Sequence, residues 1–98
     1  MVIEVRYYKA DENGQDRGLV PVRNHKGQWA LHKSLEYNCF SVTHIPSGLA
    51  LFHGSWNIAR AMFHTVSRIP MANNWNGQGE IPAIFEYAAK WVLRFFQN

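Results

Sequence analysis

Ninety-eight residues with 47% apolar and 14% aromatic side chains describe one globular domain, residues 1–98, and exclude a disordered chain. The formal charge of +3 is spread over the chain: six basic and five acidic groups lie in residues 1–38, four and two in residues 39–98. No Lys/Arg cluster stands out, so the balance is only a weak pointer to an anionic partner.

Val2 to Lys9 alternates, with Ile3, Val5 and Tyr7 on one side and Glu4, Arg6 and Tyr8 on the other, the pattern of a half-buried strand. Glu4 and Arg6 also interrupt the apolar run that a signal peptide needs. Asp11 to Gly18 is polar and glycine-bearing and reads as a surface loop. Leu19–Arg23 and Gln28–Ser34 then form a hairpin closed by Asn24 to Gly27. That register sets Arg23 opposite Trp29, sharing a face with Leu19, Pro21, Leu31 and Lys33, while Val20, Val22, Ala30 and His32 take the other. Pro21 cannot donate to a ladder, which predicts an edge strand.

A second hairpin, Phe40–Ile45 with Leu49–His53, turns at Pro46-Ser47-Gly48. Pairing Ile45 with Leu49 puts Phe40, Val42, His44, Ala50 and Phe52 on one face and Ser41, Thr43, Ile45, Leu49, Leu51 and His53 on the other. Ser55 is placed to cap a helix from Trp56 to Ile69, whose apolar face is Ala59, Met62, Phe63, Val66 and Ile69. Its wet face is Asn57, Arg60, His64, Ser67 and Arg68. Pro70 stops it, and a polar loop carrying Trp75 follows. Pro82 sits in the first turn of the last helix, where its missing N–H costs nothing.

That last helix, Ile81 to Phe96, is apolar almost all round. Glu86, Lys90 and Arg94 make one charged stripe at i, i+4 and i+8. Ile84, Tyr87, Ala88, Trp91 and Phe95 make one apolar face, and Phe85, Ala89, Val92 and Phe96 a second. A chain of this length covers one such face, and the other asks for a partner. Strands followed by helices give an α+β fold: an antiparallel sheet of about four or five strands, two β-hairpins plus an N-terminal strand, with two α-helices packed on one face.

The chemistry-bearing residues do not converge. Five histidines invite a metal, yet His44 and His53 fall on opposite faces of their hairpin and Cys39 has no CxxC partner, so no metal site is expected. The lone cysteine also excludes an intramolecular disulfide and suits a reducing compartment. No nucleophile elbow is present, and the acidic residues crowd into loops, which leaves no expected catalytic residue and no cofactor. Gly77 and Gly79 precede a helix, but Glu80 stands where a phosphate would sit. The uncharged stretch 39–59 holds Pro46, Gly48 and Gly54 and alternates as strands do, so the expectation is a cytoplasmic chain with no membrane span.

Two functions remain. The leading one is a small non-enzymatic protein-binding module that occupies a surface of a larger protein or complex and forms a homodimer. Phe85, Ala89, Val92 and Phe96 are its expected self-association residues, and Arg60, His64, Arg68, Trp56 and Trp75 its partner-binding residues. The alternative is nucleic-acid binding through a sheet face carrying Arg6, Tyr8, Arg23, Trp29 and Lys33. In size and plainness the chain resembles small phage and mobile-element proteins that block host defence machinery, anti-CRISPR proteins among them. The resemblance is one of class and not of motif, and it implies an inhibitor that works by occupying a surface.

Overall fold

The computed structural model describes residues 1–9, 14–35, 37–69 and 82–97. Five strands come first: β1 (Val2–Lys9), β2 (Gly14–Lys26), β3 (Trp29–Lys33), β4 (Phe40–His44) and β5 (Leu49–Gly54). Two helices follow, α1 (Trp56–Val66) and α2 (Ala83–Gln97). The strands pair antiparallel in the order of the chain, β1-β2-β3-β4-β5, in one curled sheet with the helices packed on it. The α+β architecture expected from the strand–helix order is the one found.

The long β2 shares itself between two neighbours. Gly14 to Pro21 pairs with β1, and Val22 to Lys26 pairs with β3. The strand therefore begins well inside the polar segment expected to be a loop, and Pro21 is not on an edge strand. Val22 N–H donates to Met1 O at 2.9 Å, and hydrogen-bonded pairs alternate along an antiparallel ladder. Pro21, opposite Val2, thus falls at a non-bonded pair where its missing N–H costs nothing.

Both hairpin registers differ from the sequence reading by one local device each. The β2–β3 turn is the two residues Gly27–Gln28, with Gly27 at φ 58°, so Lys26 and not Arg23 faces Trp29. A bulge at Arg23 then absorbs the offset between Val22 and Asn24. In the β4–β5 hairpin His44 pairs with Leu49, and a bulge between Val42 and Thr43 restores Val42↔Phe52 and Ser41↔His53. The expected faces of Phe52 and His53 hold, while Leu49, Ala50 and Leu51 change sides.

Alternation in β3 and β4 splits the interior in two. Trp29, Leu31 and Val42 face the helices and join Ala59, Met62, Phe63 and Val66 of α1 and Phe85, Ala88 and Val92 of α2. Ala30 faces the inside of the curl with Ile3, Val5 and Val20. The curl is latched where β1 meets the β4–β5 turn: Arg6 N–H donates to Gly48 O at 2.8 Å. Gly48 has φ +72°, and a Cβ there would lie 3.2 Å from Glu4 O and 3.3 Å from Arg6 N, so the latch requires glycine.

Candidate interaction surface

The side of α2 that meets the core is set by one contact. Phe85, fully buried, packs edge-on to Trp29 with ring centroids 5.2 Å apart, and Ala88 and Val92 follow it at i+3 and i+7 against α1. Three of the four self-association residues expected from sequence face inward: Phe85 and Val92 are core and Ala89 is half-buried against it, while Phe96 is 40% exposed. Two apolar faces were legible on this helix, but the assignment of which one is covered is reversed.

The opposite face is a ridge of large rings. Tyr87 is 66% exposed, Trp91 66% and Phe95 75%, with Ile84 on the same side. At about 200 Å² per aromatic side chain, the rings of residues 87, 91, 95 and 96 together present roughly 500 Å² to solvent. Between the ridge and α1 runs an apolar groove of about 350 Å³ lined by Ala61, Thr65, Trp91, Val92, Phe95 and Phe96. On the ridge's other flank a hollow of about 310 Å³ is lined by Tyr87, Lys90, Trp91 and Arg94. Rings interleaved with cations are the composition of interface anchors.

On α1, Arg60 is exposed and His64 is half-buried with its ring against Phe63 at 5.3 Å, and Arg68, two residues past the end of the helix, is exposed. Trp56, 37% exposed, packs edge-on to Phe40 at 4.9 Å. The bulge at Arg23 sends its guanidinium over both rings, 5.7 Å from Phe40 and 5.9 Å from Trp56. Glu86 is the one acidic residue in α1 and α2, so the helical layer is cationic. Trp75 lies outside the described residues.

The residues of the nucleic-acid reading are not gathered on one surface. Trp29 is 0% exposed beneath Phe85, and its ring offers no stacking platform. Arg23 and Lys33 lie at the helix side, while Arg6 sits on β1 beside the Pro46–Gly48 turn. Tyr8 is placed on β1 opposite Gln15.

Sequence reasoning missed a buried polar cluster inside the curl. His32 Nδ1–H donates to Lys33 O at 2.8 Å, which leaves Nε2 to accept from Thr43 Oγ1 at 2.7 Å. Burial is the main cause pushing the His32 pKa below its ordinary 6.5, with the Lys33 carbonyl opposing and His53 adding to it. Beside it, Ser41 Oγ and His53 Nδ1 are 2.6 Å apart. A serine–histidine pair is the first element of nucleophilic catalysis. Here Ser41 is 0% exposed and the adjoining space is about 10 Å³, room for one water and not for a substrate. The signal available in the sequence was the run His32, Ser41, Thr43 and His53 on the face opposite Trp29.

His44 stands on the helix side against Trp29 at 5.2 Å, its ring nitrogens 2.8 Å from Ser47 Oγ and 3.3 Å from Gln28 Oε1. Among the described residues no three His, Cys, Asp or Glu side chains come together as a metal site. No described helix is long and apolar enough to cross a membrane. Fold and surface thus define a small α+β domain with an exposed aromatic-cationic helix face. No family model, curated protein or solved structure matches the chain.

Proposed function

We propose that the chain is a small non-enzymatic protein-binding module that acts as a homodimer and occupies a surface of a larger protein. The observation that carries this reading is the ridge Tyr87–Trp91–Phe95, which keeps three large rings in water with roughly 400 Å² of apolar exposure. A patch of that size matches the largest apolar patch of a typical monomer, which is often a functional one. The division of labour assigns the α2 ridge to self-association and the cationic outer side of α1, with Arg60, Arg68 and Trp56, to an acidic surface of the larger partner. Blocking a host-defence complex is the form of this activity that the size class favours.

Affinity capture with the immobilised full chain, compared with an Arg60→Glu/Arg68→Glu variant, tests the partner half. The expected result is a stoichiometric protein captured by the wild type and lost with the charge-reversed variant. Capture of nucleic acid in its place, or equal capture by both proteins, refutes the reading.

A further inference from the structure

Resting on that protein-binding reading, we infer that the α2 ridge is covered by the α2 ridge of a second copy, antiparallel, with the two-fold axis passing beside Trp91. Area is the first argument. A stable interface buries about 800 Å² on each partner. The four rings supply roughly 500 Å², and Ile84, Lys90, Arg94 and the rims of Ala61 and Thr65 extend the same patch.

Self-complementarity is the second. A helix advances about 1.5 Å and roughly 100° per residue, so Trp91 centres the ridge, Tyr87 and Arg94 flank it on one side, and Phe95, Ile84 and Ala88 on the other. A two-fold perpendicular to the helix axis returns each flank to the same flank of its mate. Arg94, about 4.5 Å along the axis from Trp91, then meets Tyr87 of the second copy, about 6 Å along from its own. A guanidinium over a phenol ring is a favourable pair, and the symmetry makes it twice. On the other flank Phe95 meets Ile84 of the second copy, both exposed, beside the groove at Thr65. Apolar side chains thus face apolar ones on this flank, and Trp91 packs on its own mate.

The same geometry has an electrical cost that makes it testable. Lys90 and Glu86 lie on the Arg94 flank, so the dimer brings two lysines and two arginines, against two glutamates, into one row with a net positive charge. Salt screens that repulsion, and dimerisation strengthens as ionic strength rises. Lys90→Glu replaces the repulsion with carboxylate–guanidinium pairs to Arg94 across the axis and tightens the dimer. A ridge evolved for an acidic protein would respond to the same change with the opposite sign.

Sedimentation equilibrium on the full chain reads all of this, with circular dichroism melts to show that the exposed substitutions leave the fold intact. The expected results are a wild-type dimer, at least about 30-fold weaker association for Trp91→Ala, and tighter association both for Lys90→Glu and at about 500 mM over about 50 mM salt. A wild-type monomer at millimolar concentration overturns the inference, as does a dimer indifferent to Trp91→Ala. A dimer that Lys90→Glu weakens or leaves unchanged overturns the antiparallel register. None of these outcomes touches capture of the larger partner through Arg60 and Arg68, so a failed dimer removes the self-association half of the proposed function and leaves the partner-binding half to its own test.

Discussion

Replacing Gly48 with alanine tests whether the latch between β1 and the β4–β5 turn holds the curl closed. A left-handed backbone at φ +72° costs a non-glycine residue about 1–2 kcal/mol. The new Cβ would also stand 3.2 Å from Glu4 O and 3.3 Å from Arg6 N, both main-chain atoms that move only with their strand. Backing β1 away by a few tenths of an ångström stretches the 2.8 Å bond from Arg6 N–H to Gly48 O, whose net worth is about 1 kcal/mol. Together the two effects amount to roughly 2–3 kcal/mol, a drop in Tm of roughly 10–20 °C for a domain of this size. Thermal melts measure it, and hydrogen exchange at the Arg6 amide localises it. Gly48→Asn separates the contributions, because asparagine tolerates positive φ while keeping the Cβ contact. An alanine variant melting within about 3 °C of the wild type, with Arg6 still protected, would show that the latch does not hold the sheet.

His32 binds its proton less readily folded than unfolded, so its contribution is intact above 6.5 and is lost as pH falls from there through the lowered folded value. The wild type is expected to lose more Tm between about pH 7.5 and about pH 4.5 than His32→Gln does; parallel curves would contradict this. Thr43→Val keeps the shape but leaves His32 Nε2 unpaired in a site where Thr43 is 1% exposed, an expected loss of about 1–3 kcal/mol in denaturant titration. Ser67 Oγ is buried with no hydrogen-bond partner among the described residues, so Ser67→Ala is expected to raise Tm by a few degrees, and a fall would mean the hydroxyl is satisfied after all. Trp29→Ala should cost about 3–5 kcal/mol through the cavity it opens under Phe85; nucleic-acid binding lost in that variant would therefore report unfolding.

The alternation of β1 and β4 and the i, i+3, i+7 spacing of α1 were enough to place Ile3, Val5, Val42, Ala59, Met62, Phe63 and Val66 in the interior. Turn chemistry located both hairpins but not their registers, because a bulge adds one residue and has no compositional signature at Arg23 or Leu51. Ser67 looked wet by residue type, yet it stands one turn beyond Phe63 on the covered side of α1 and is buried. On α2 the difficulty was of another kind. Phe85/Val92 and Tyr87/Trp91/Phe95 are equally apolar stripes, and periodicity cannot say which one meets a sheet. Trp29 decides it, and Trp29 is fifty-six residues before Phe85 in the chain. The candidate surface was therefore legible as a surplus, while its address was not.

The strand order carries a consequence for how the chain comes to be folded. Each strand pairs with the one made just before it, so the meander can zip up with only short loops to close. Its helix-facing side, with Trp29, Leu31 and Val42, is covered first by α1, which packs on β3, β4 and β5, and α2 closes over Trp29 and α1 last. A truncated chain ending before residue 82 would leave Trp29 and the apolar flank of α1 open to its neighbours, which makes the fifteen residues of α2 the cover of the helical layer.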